Sequence, residues 1–103
     1  MNARLDIARN TAARVTLLIP AALRMHCEGA DQVVVEAVTV RDALAAATER
    51  HGALLQHVLT RDGKLRPYVK MFVRSNDVRD LEGLDTPLVD GDTVMIVPSV
   101  AGG

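Results

Sequence analysis

The pattern of apolar and polar positions opens with two segments that are typical of strands. Runs rich in Val, Leu, Ile and Thr predict a strand at 14–20 and a second at 33–40. Pro20 ends the first run, and the connection that follows closes on Gly29 and Asp31. Because consecutive strands usually pair, we expect these two to form an antiparallel hairpin.

A change to Ala and Leu after the second strand predicts the main helix of the molecule. Its apolar residues fall at helical spacing, and they are Val40, Ala43, Leu44 and Ala47. Thr39 is placed to cap the N-terminus, with Asp42 three residues later as an acidic variant of the capping box. Gly52 suits a left-handed stop after the last turn, and 54–59 adds a short further turn of helix.

The second half of the chain alternates turns with strands. Asp-Gly pairs predict turns at 61–64 and 90–92, and strands are predicted at 68–74 and from Thr93 onward. The alternation of these two strands places one apolar set on a common face, namely Val69, Met71, Val73, Val94 and Ile96. The opposite face carries Phe72, Met95 and Val97.

This order of elements predicts an α+β roll, in which a mixed sheet of four or five strands carries one main helix on one face. One helix cannot cover both faces of a sheet, so the other face meets solvent or a partner. The strand after the helix can lie parallel to an earlier strand, and a short edge strand is expected at Val78. The chain divides into an N-terminal extension at 1–13, one domain at 14–97 and a flexible tail at 98–103.

Composition narrows the classes of function. The chain has 12 basic and 13 acidic residues and very few aromatic ones, which argues against a nucleic-acid binder. One cysteine and three scattered histidines provide no ligand set for zinc, so no metal site is predicted. No apolar run reaches the length of a membrane span, and we expect a cytoplasmic protein without a secretory signal.

The last residues raise a specific question, because the sequence finishes in PSVAGG directly after a predicted strand. Frayed termini are common, and a passive tail is the simplest explanation. Glycine has no Cβ, however, so Gly102 and Gly103 could pass through a channel that excludes larger residues. A carboxylate becomes reactive toward nucleophiles once adenylation by ATP turns one oxygen into a leaving group.

Three stretches carry a family resemblance: PSVAGG at the end, DGDTVMIVP before it, and residues 66–92. They resemble the small sulfur-carrier proteins of the ThiS/MoaD type, most nearly the cysteine-synthesis type. The resemblance spans about residues 14–103 and implies a β-grasp, ubiquitin-like fold. Residues 1–13 have no counterpart in the usual family pattern.

The resemblance also implies a function for the tail. Gly103 would be adenylated and converted to a thiocarboxylate, and Gly102 would give access to it. The arm gripped by the activating enzyme would consist of Ala101, Val100 and Pro98. The implied partners are a ubiquitin-activating-like adenylating and sulfurtransferase enzyme, which uses ATP, and a biosynthetic enzyme that accepts sulfur for cysteine, molybdopterin, thiamin or a secondary metabolite. The chain itself would bind no cofactor and would have no catalytic residues.

The open face of the sheet provides a candidate docking surface. Phe72, Met95 and Val97 are predicted to form an apolar patch there, with Lys70 and Arg74 as a basic rim suited to an acidic partner groove. Scattered surface apolar residues are the simpler alternative.

Other interpretations stay open. Gly103 could instead form isopeptide bonds to lysines, as in a ubiquitin-like modifier, or the chain could be a β-grasp interaction subunit with a passive tail. Cys27 is expected to be a small buried residue rather than a nucleophile. His51 and His57 are not expected to bind metal, and the Asp residues of 90–92 are expected to bond the backbone of their own turn.

Overall fold

Five strands and two α-helices make up residues 12–98, the part of the chain that the computed structural model describes. The strands are β1 (Ala13–Leu18), β2 (Gln32–Ala37), β3 (Val69–Val73), β4 (Asn76–Asp77) and β5 (Thr93–Pro98). The α-helices are α1 (Val40–Arg50) and α2 (Leu54–Val58). Three 3₁₀ helices cover Ala21–Cys27, Val78–Asp80 and Gly83–Asp85.

The strands form one mixed sheet in the order β2-β1-β5-β3-β4, which confirms the predicted α+β roll. β1 and β2 form the expected antiparallel hairpin, from Ala13 opposite Ala37 to Leu18 opposite Gln32. β3 pairs antiparallel with β5 and therefore runs in the same direction as the earlier strand β2, while the neighbouring parallel pair is β1 with β5. The last strand takes the centre of the sheet, and local sequence pattern does not encode this long-range insertion.

Helix α1 begins as predicted and ends differently. The Thr39 hydroxyl oxygen accepts a hydrogen bond from the Asp42 backbone N–H at 3.2 Å, which satisfies one of the free donors of the first turn. The left-handed stop at Gly52 was wrong, because the helix already ends at His51, with φ −131° and ψ 79°. The chain then turns directly into α2, so no left-handed residue is needed there.

The core lies between α1 and α2 on one side and one face of the sheet on the other. Leu17, Leu44, Leu54 and Met71 are all completely buried, and each contributes about 1.5–3 kcal/mol by leaving water. The predicted inward residues of α1, β3 and β5 all belong to this core. Packing of this extent holds the fold together without a disulfide, and Cys27 is a free, buried thiol.

The connection after β1 contains the 3₁₀ helix Ala21–Cys27, which buries Leu23 and Cys27. One local prediction needs correction. The short edge strand is Asn76–Asp77 rather than a strand at Val78, because the Asp77 carboxylate accepts from the Arg79 backbone N–H and caps a 3₁₀ turn there.

Candidate functional site

The open face of the sheet exposes alternate residues of β3 and β5. Met95 and Val97 are 43% and 37% exposed, and Phe72 is half-buried. Phe72 on β3 lies opposite Met95 on β5, and Lys70 on β3 lies opposite Val97 on β5. Side chains at directly opposite positions of antiparallel strands lie within contact distance. The structure therefore places the predicted apolar residues together, on the face predicted from the alternation.

The apolar surface extends further than the sequence suggested, toward the C-terminal end of β5. Leu18 on β1 aligns with Met95, and a shallow cavity of about 280 Å³ there includes Pro20, Val97 and Pro98 in its lining. Leu18 was missed because it lies in an unbroken apolar run. The signal was present, since Val15 and Leu17 alternate as core residues and thus point Leu18 outward.

The two cations predicted to rim this surface differ in their surroundings. Lys70 is exposed on β3. Arg74 forms an ion pair with Asp92, whose side chain is only 6% exposed, and also donates to the Pro87 carbonyl oxygen at 3.4 Å. The charge of Arg74 is thus matched inside the molecule, and its evident role is to join the β3–β4 turn to the start of β5.

The turn before β5 is held by backbone hydrogen bonds to its two aspartates; Asp92 bonds the backbone of its own turn as expected, whereas Asp90 bonds the backbone of β1 instead. Asp90 accepts from the Arg14 backbone N–H at 2.8 Å, and Asp92 accepts from the Val89 backbone N–H at 2.8 Å. Gly91 has φ +88°, a conformation that glycine adopts without strain, and donates to the Arg14 carbonyl oxygen. These bonds fix the start of β5 beside β1 and so fix the direction in which β5 leads to the C-terminal residues.

The predicted tail is described only at its first residue. Pro98 is the last residue of β5, lies opposite Val69 and is half-buried, so the strand continues one residue beyond the predicted domain boundary. Val100, Ala101, Gly102 and Gly103 lie outside the described residues. Their roles stay predictions.

The other titratable side chains of interest, a cysteine and two histidines, lie on the side of the sheet that the helices cover. Burial, reinforced by the charge of Glu28, raises the pKa of the Cys27 thiol, which keeps it protonated and unsuited to nucleophilic attack at neutral pH. The imidazole rings of His26 and His57 stack with centroids 3.9 Å apart. Burial, and then the charges of His26 and Arg66, lower the pKa of His57. The sequence did not indicate this pair, because the two residues are 31 positions apart and meet only through packing.

Within residues 12–98, no group of three or more His, Cys, Asp or Glu side chains is arranged to hold a metal ion. The helices of this part of the chain are also too short and too polar to cross a membrane.

A mixed five-stranded sheet that carries its helices on one face is a β-grasp fold of the ubiquitin-like class. The family model described as the ThiS family matches residues 17–103, and the chain belongs to that family. The sulfur carrier protein CysO of Mycobacterium tuberculosis is 34% identical over 91 residues, which cover 86% of this chain and 98% of CysO. These findings confirm the resemblance carried by the sequence.

Two solved structures show the same fold. The structure of the Amycolatopsis orientalis BexX/CysO complex contains a chain that is 37% identical, with a TM-score of 0.78, covering 86% of this chain and 99% of that one. The small archaeal modifier protein 1 of Methanosarcina acetivorans is 28% identical, also with a TM-score of 0.78, covering 89% of this chain and 98% of that one.

Proposed function

We propose that the chain is a sulfur carrier that is consumed and regenerated as a protein cosubstrate of partner enzymes, and is not itself an enzyme. The observation that carries this proposal is the ThiS-family match, which runs through Gly103. The similarity to CysO, a sulfur carrier protein, extends over almost the whole of CysO. The folded domain that precedes the tail would provide the rigid surface that partner proteins recognise.

The chemistry would take place at the carboxylate of Gly103. One carboxylate oxygen attacks the α-phosphorus of ATP, pyrophosphate leaves, and an acyl-adenylate forms. A hydrosulfide ion or an equivalent sulfur donor then attacks the carbonyl carbon, AMP leaves, and a thiocarboxylate remains. ATP is bound by the activating partner, so the chain needs no cofactor of its own. The thiocarboxylate would pass its sulfur to a biosynthetic enzyme for cysteine, molybdopterin, thiamin or a secondary metabolite.

The tail would act as a narrow arm between the domain and the reacting carbon. Gly102 and Ala101 carry little or no side chain, so they could pass through a channel that excludes larger residues. Val100 and Pro98 would be the positions that the activating enzyme grips. The backbone pairing of Pro98 with Val69 supports this arrangement, because it anchors the base of the arm in the sheet.

The open face would dock the activating enzyme beside the arm. Phe72, Met95 and Val97 are apolar, partly exposed and close to the C-terminal end of β5. Complete burial of one such side chain in a partner contributes about 1.5–3 kcal/mol, enough to decide whether a transient complex forms. Lys70 adds a positive charge that would favour an acidic partner surface. The BexX/CysO complex supports a docking role, since it shows a related β-grasp chain in complex with another protein.

The test is to incubate the chain with its cognate activating enzyme, ATP and sulfide, and to measure the intact mass. Replacement of one oxygen by sulfur should add about 16 Da, located at Gly103 by fragmentation. A chain without Gly103 should fold normally and gain no sulfur, as should a chain extended by one alanine after Gly103. An unchanged mass of the full chain with an active enzyme, or equal loading of the extended chain, would contradict the proposal.

A second candidate function is attachment to other proteins, which the similarity to small archaeal modifier protein 1 favours. In that case the activated Gly103 carbonyl would be attacked by a lysine amine and form an isopeptide bond. Immunoblots of the host would then show high-mass adducts that disappear when Gly103 is deleted. Adducts without any thiocarboxylate would favour the modifier over the carrier. Activity of the alanine-extended chain in both assays would instead indicate a passive interaction subunit.

A further inference from the structure

The two edges of the sheet are protected to very different extents. At one edge β4 has only two residues and is followed at once by the 3₁₀ helix Val78–Asp80. At the other edge β2 has six residues, Gln32–Ala37, contains no proline and pairs only with β1 within the described part of the chain. Natural proteins usually shorten, cover or interrupt such an edge, because its free backbone groups invite another strand.

The hydrogen-bonding pattern shows which groups of β2 face outward. The Ile19 backbone N–H donates to the Asp31 carbonyl oxygen at 2.9 Å, so this pair is of the hydrogen-bonded type. Such pairs alternate along an antiparallel ladder, and residues 33, 35 and 37 therefore also bond to β1. The backbone N–H and C=O groups of Gln32, Val34 and Glu36 point away from β1, and no backbone group in residues 12–98 bonds to them.

Along Gln32–Ala37 the outer side of this edge is open to an approaching strand, whereas beyond Ala37 it is covered by residues 86–88, where the Leu88 backbone N–H donates to the Val38 carbonyl oxygen at 2.9 Å. A groove of about 460 Å³ follows the open part of the edge and is lined by Val34, Val35 and Glu36 of β2 together with Arg14 and Arg50. Val34 and Val35 belong to opposite faces of the sheet, so the groove wraps around the strand edge itself. No other element of the described structure fills it.

We propose that this edge binds a second copy of the chain, with the two β2 strands antiparallel and Val34 opposite the partner's Val34. This register makes use of all six outward N–H groups, three from each copy. Shifting this register by two residues leaves two of the six outward N–H groups without an acceptor. The register is also matched in side chains, because each Gln32 lies opposite the other copy's Glu36, where an amide donates to a carboxylate.

The resulting dimer is compatible with the proposed function and does not depend on it. Because the added strand is antiparallel, both open faces lie on the same side of one ten-stranded sheet. The two β5 strands then lead to opposite ends of that sheet, and neither docking surface is covered. A contact of this size is small, so we expect association that depends strongly on concentration.

Hydrogen exchange followed by NMR tests the pairing directly on the full chain, from roughly 10 µM to roughly 1 mM. The amides of Gln32, Val34 and Glu36 should become protected as concentration rises, whereas those of Val33 and Val35 should be protected throughout by β1. Sedimentation equilibrium should show the mass doubling over the same range. Protection of the three outward amides that is independent of concentration, or protection only when another protein is added, would overturn the proposal.

Two pairs of variants test the register. Val34→Lys places two like charges opposite each other at the centre of the contact and should abolish the dimer, whereas Thr93→Lys, exposed on the interior strand β5, should leave it intact. Gln32→Lys creates two ion pairs with Glu36 and should tighten association about tenfold, while Gln32→Glu should weaken it by a similar factor. Equal affinities of the two residue-32 variants would overturn the register.

Discussion

The two faces of the sheet are built from the same strands, and two methionines show how differently they are used. Met71 on β3 is completely buried under the helices, whereas Met95 on β5 is 43% exposed on the open face. The two residues are close in the sheet: Met71 lies opposite Ile96, the residue next to Met95, and Met95 lies opposite Phe72, the residue next to Met71. The covered face holds the domain together, so it tolerates little change. The open face contributes little to folding, and its apolar residues are available for a partner.

The largest expected effect comes from shortening a side chain on the covered face. Met71→Ala should lower the free energy of unfolding by about 2–5 kcal/mol, because it removes buried contacts and leaves a cavity. Urea unfolding followed by circular dichroism measures the change. Met25→Ala is the matched control, since Met25 is 78% exposed, and should change stability by less than about 0.5 kcal/mol. Equal stability of the two variants would contradict the assignment of Met71 to the core.

The next effect concerns the ion pair of Arg74 and Asp92, which joins the β3–β4 turn to the start of β5. Asp92→Asn removes a buried carboxylate that accepts from Arg74 and from the Val89 backbone N–H. We expect stability to fall by about 1–3 kcal/mol, measured by urea unfolding. Asp90→Asn, at an exposed position with one backbone hydrogen bond, should have a smaller effect. A larger loss at Asp90 would contradict the assignment of Asp92 as the main anchor.

A smaller effect on stability, with a clear effect on binding, is expected on the open face. Met95→Ala should change the free energy of unfolding by less than about 1 kcal/mol, because half of the side chain is already in water. Its affinity for the activating enzyme should fall about threefold to tenfold, measured by titration calorimetry. Thr93→Ala, on the same face of the same strand, is the control and should bind normally. Unchanged affinity of Met95→Ala would argue against this face as the docking surface.

The smallest effect is a pH dependence confined to the covered side. The lowered pKa of His57 means that the folded state binds fewer protons than the unfolded state below the ordinary value of 6.5. Stability should therefore fall as the pH decreases from 6.5 toward the folded pKa, and it should not change on this account above 6.5. His57→Gln should flatten this part of the stability curve. An identical slope in both proteins would show that another group causes it.

Much of the fold could be predicted from the sequence because the signals were local. Thr39 and Asp42 mark the start of α1, and the alternation of β3 and β5 gave the correct face for Met71 and for Met95. The end of α1 could not be predicted from Gly52, because the helix already ends at His51 and the chain turns directly into α2, which packs on the same core. The family resemblance, rather than periodicity, indicated the β-grasp topology.

The candidate site was predictable in part for the same reason. Phe72, Met95 and Val97 followed from strand alternation, whereas Leu18 joins them only because β5 is inserted beside β1. Arg74 appeared in the sequence to be a free surface cation. Its partner Asp92 is 18 residues away, and only the folded chain brings the two together.

The sequence by itself determined the elements, the inward and outward sides of each strand, and the PSVAGG ending that resembles the carrier family. These features depend on the spacing and chemistry of residues a few positions apart. Only the tertiary structure decided which strand occupies the centre of the sheet, which cation is already paired, and which edge is left open. These outcomes depend on contacts between residues far apart in the chain, since the free energy of such contacts is defined only once the core has formed.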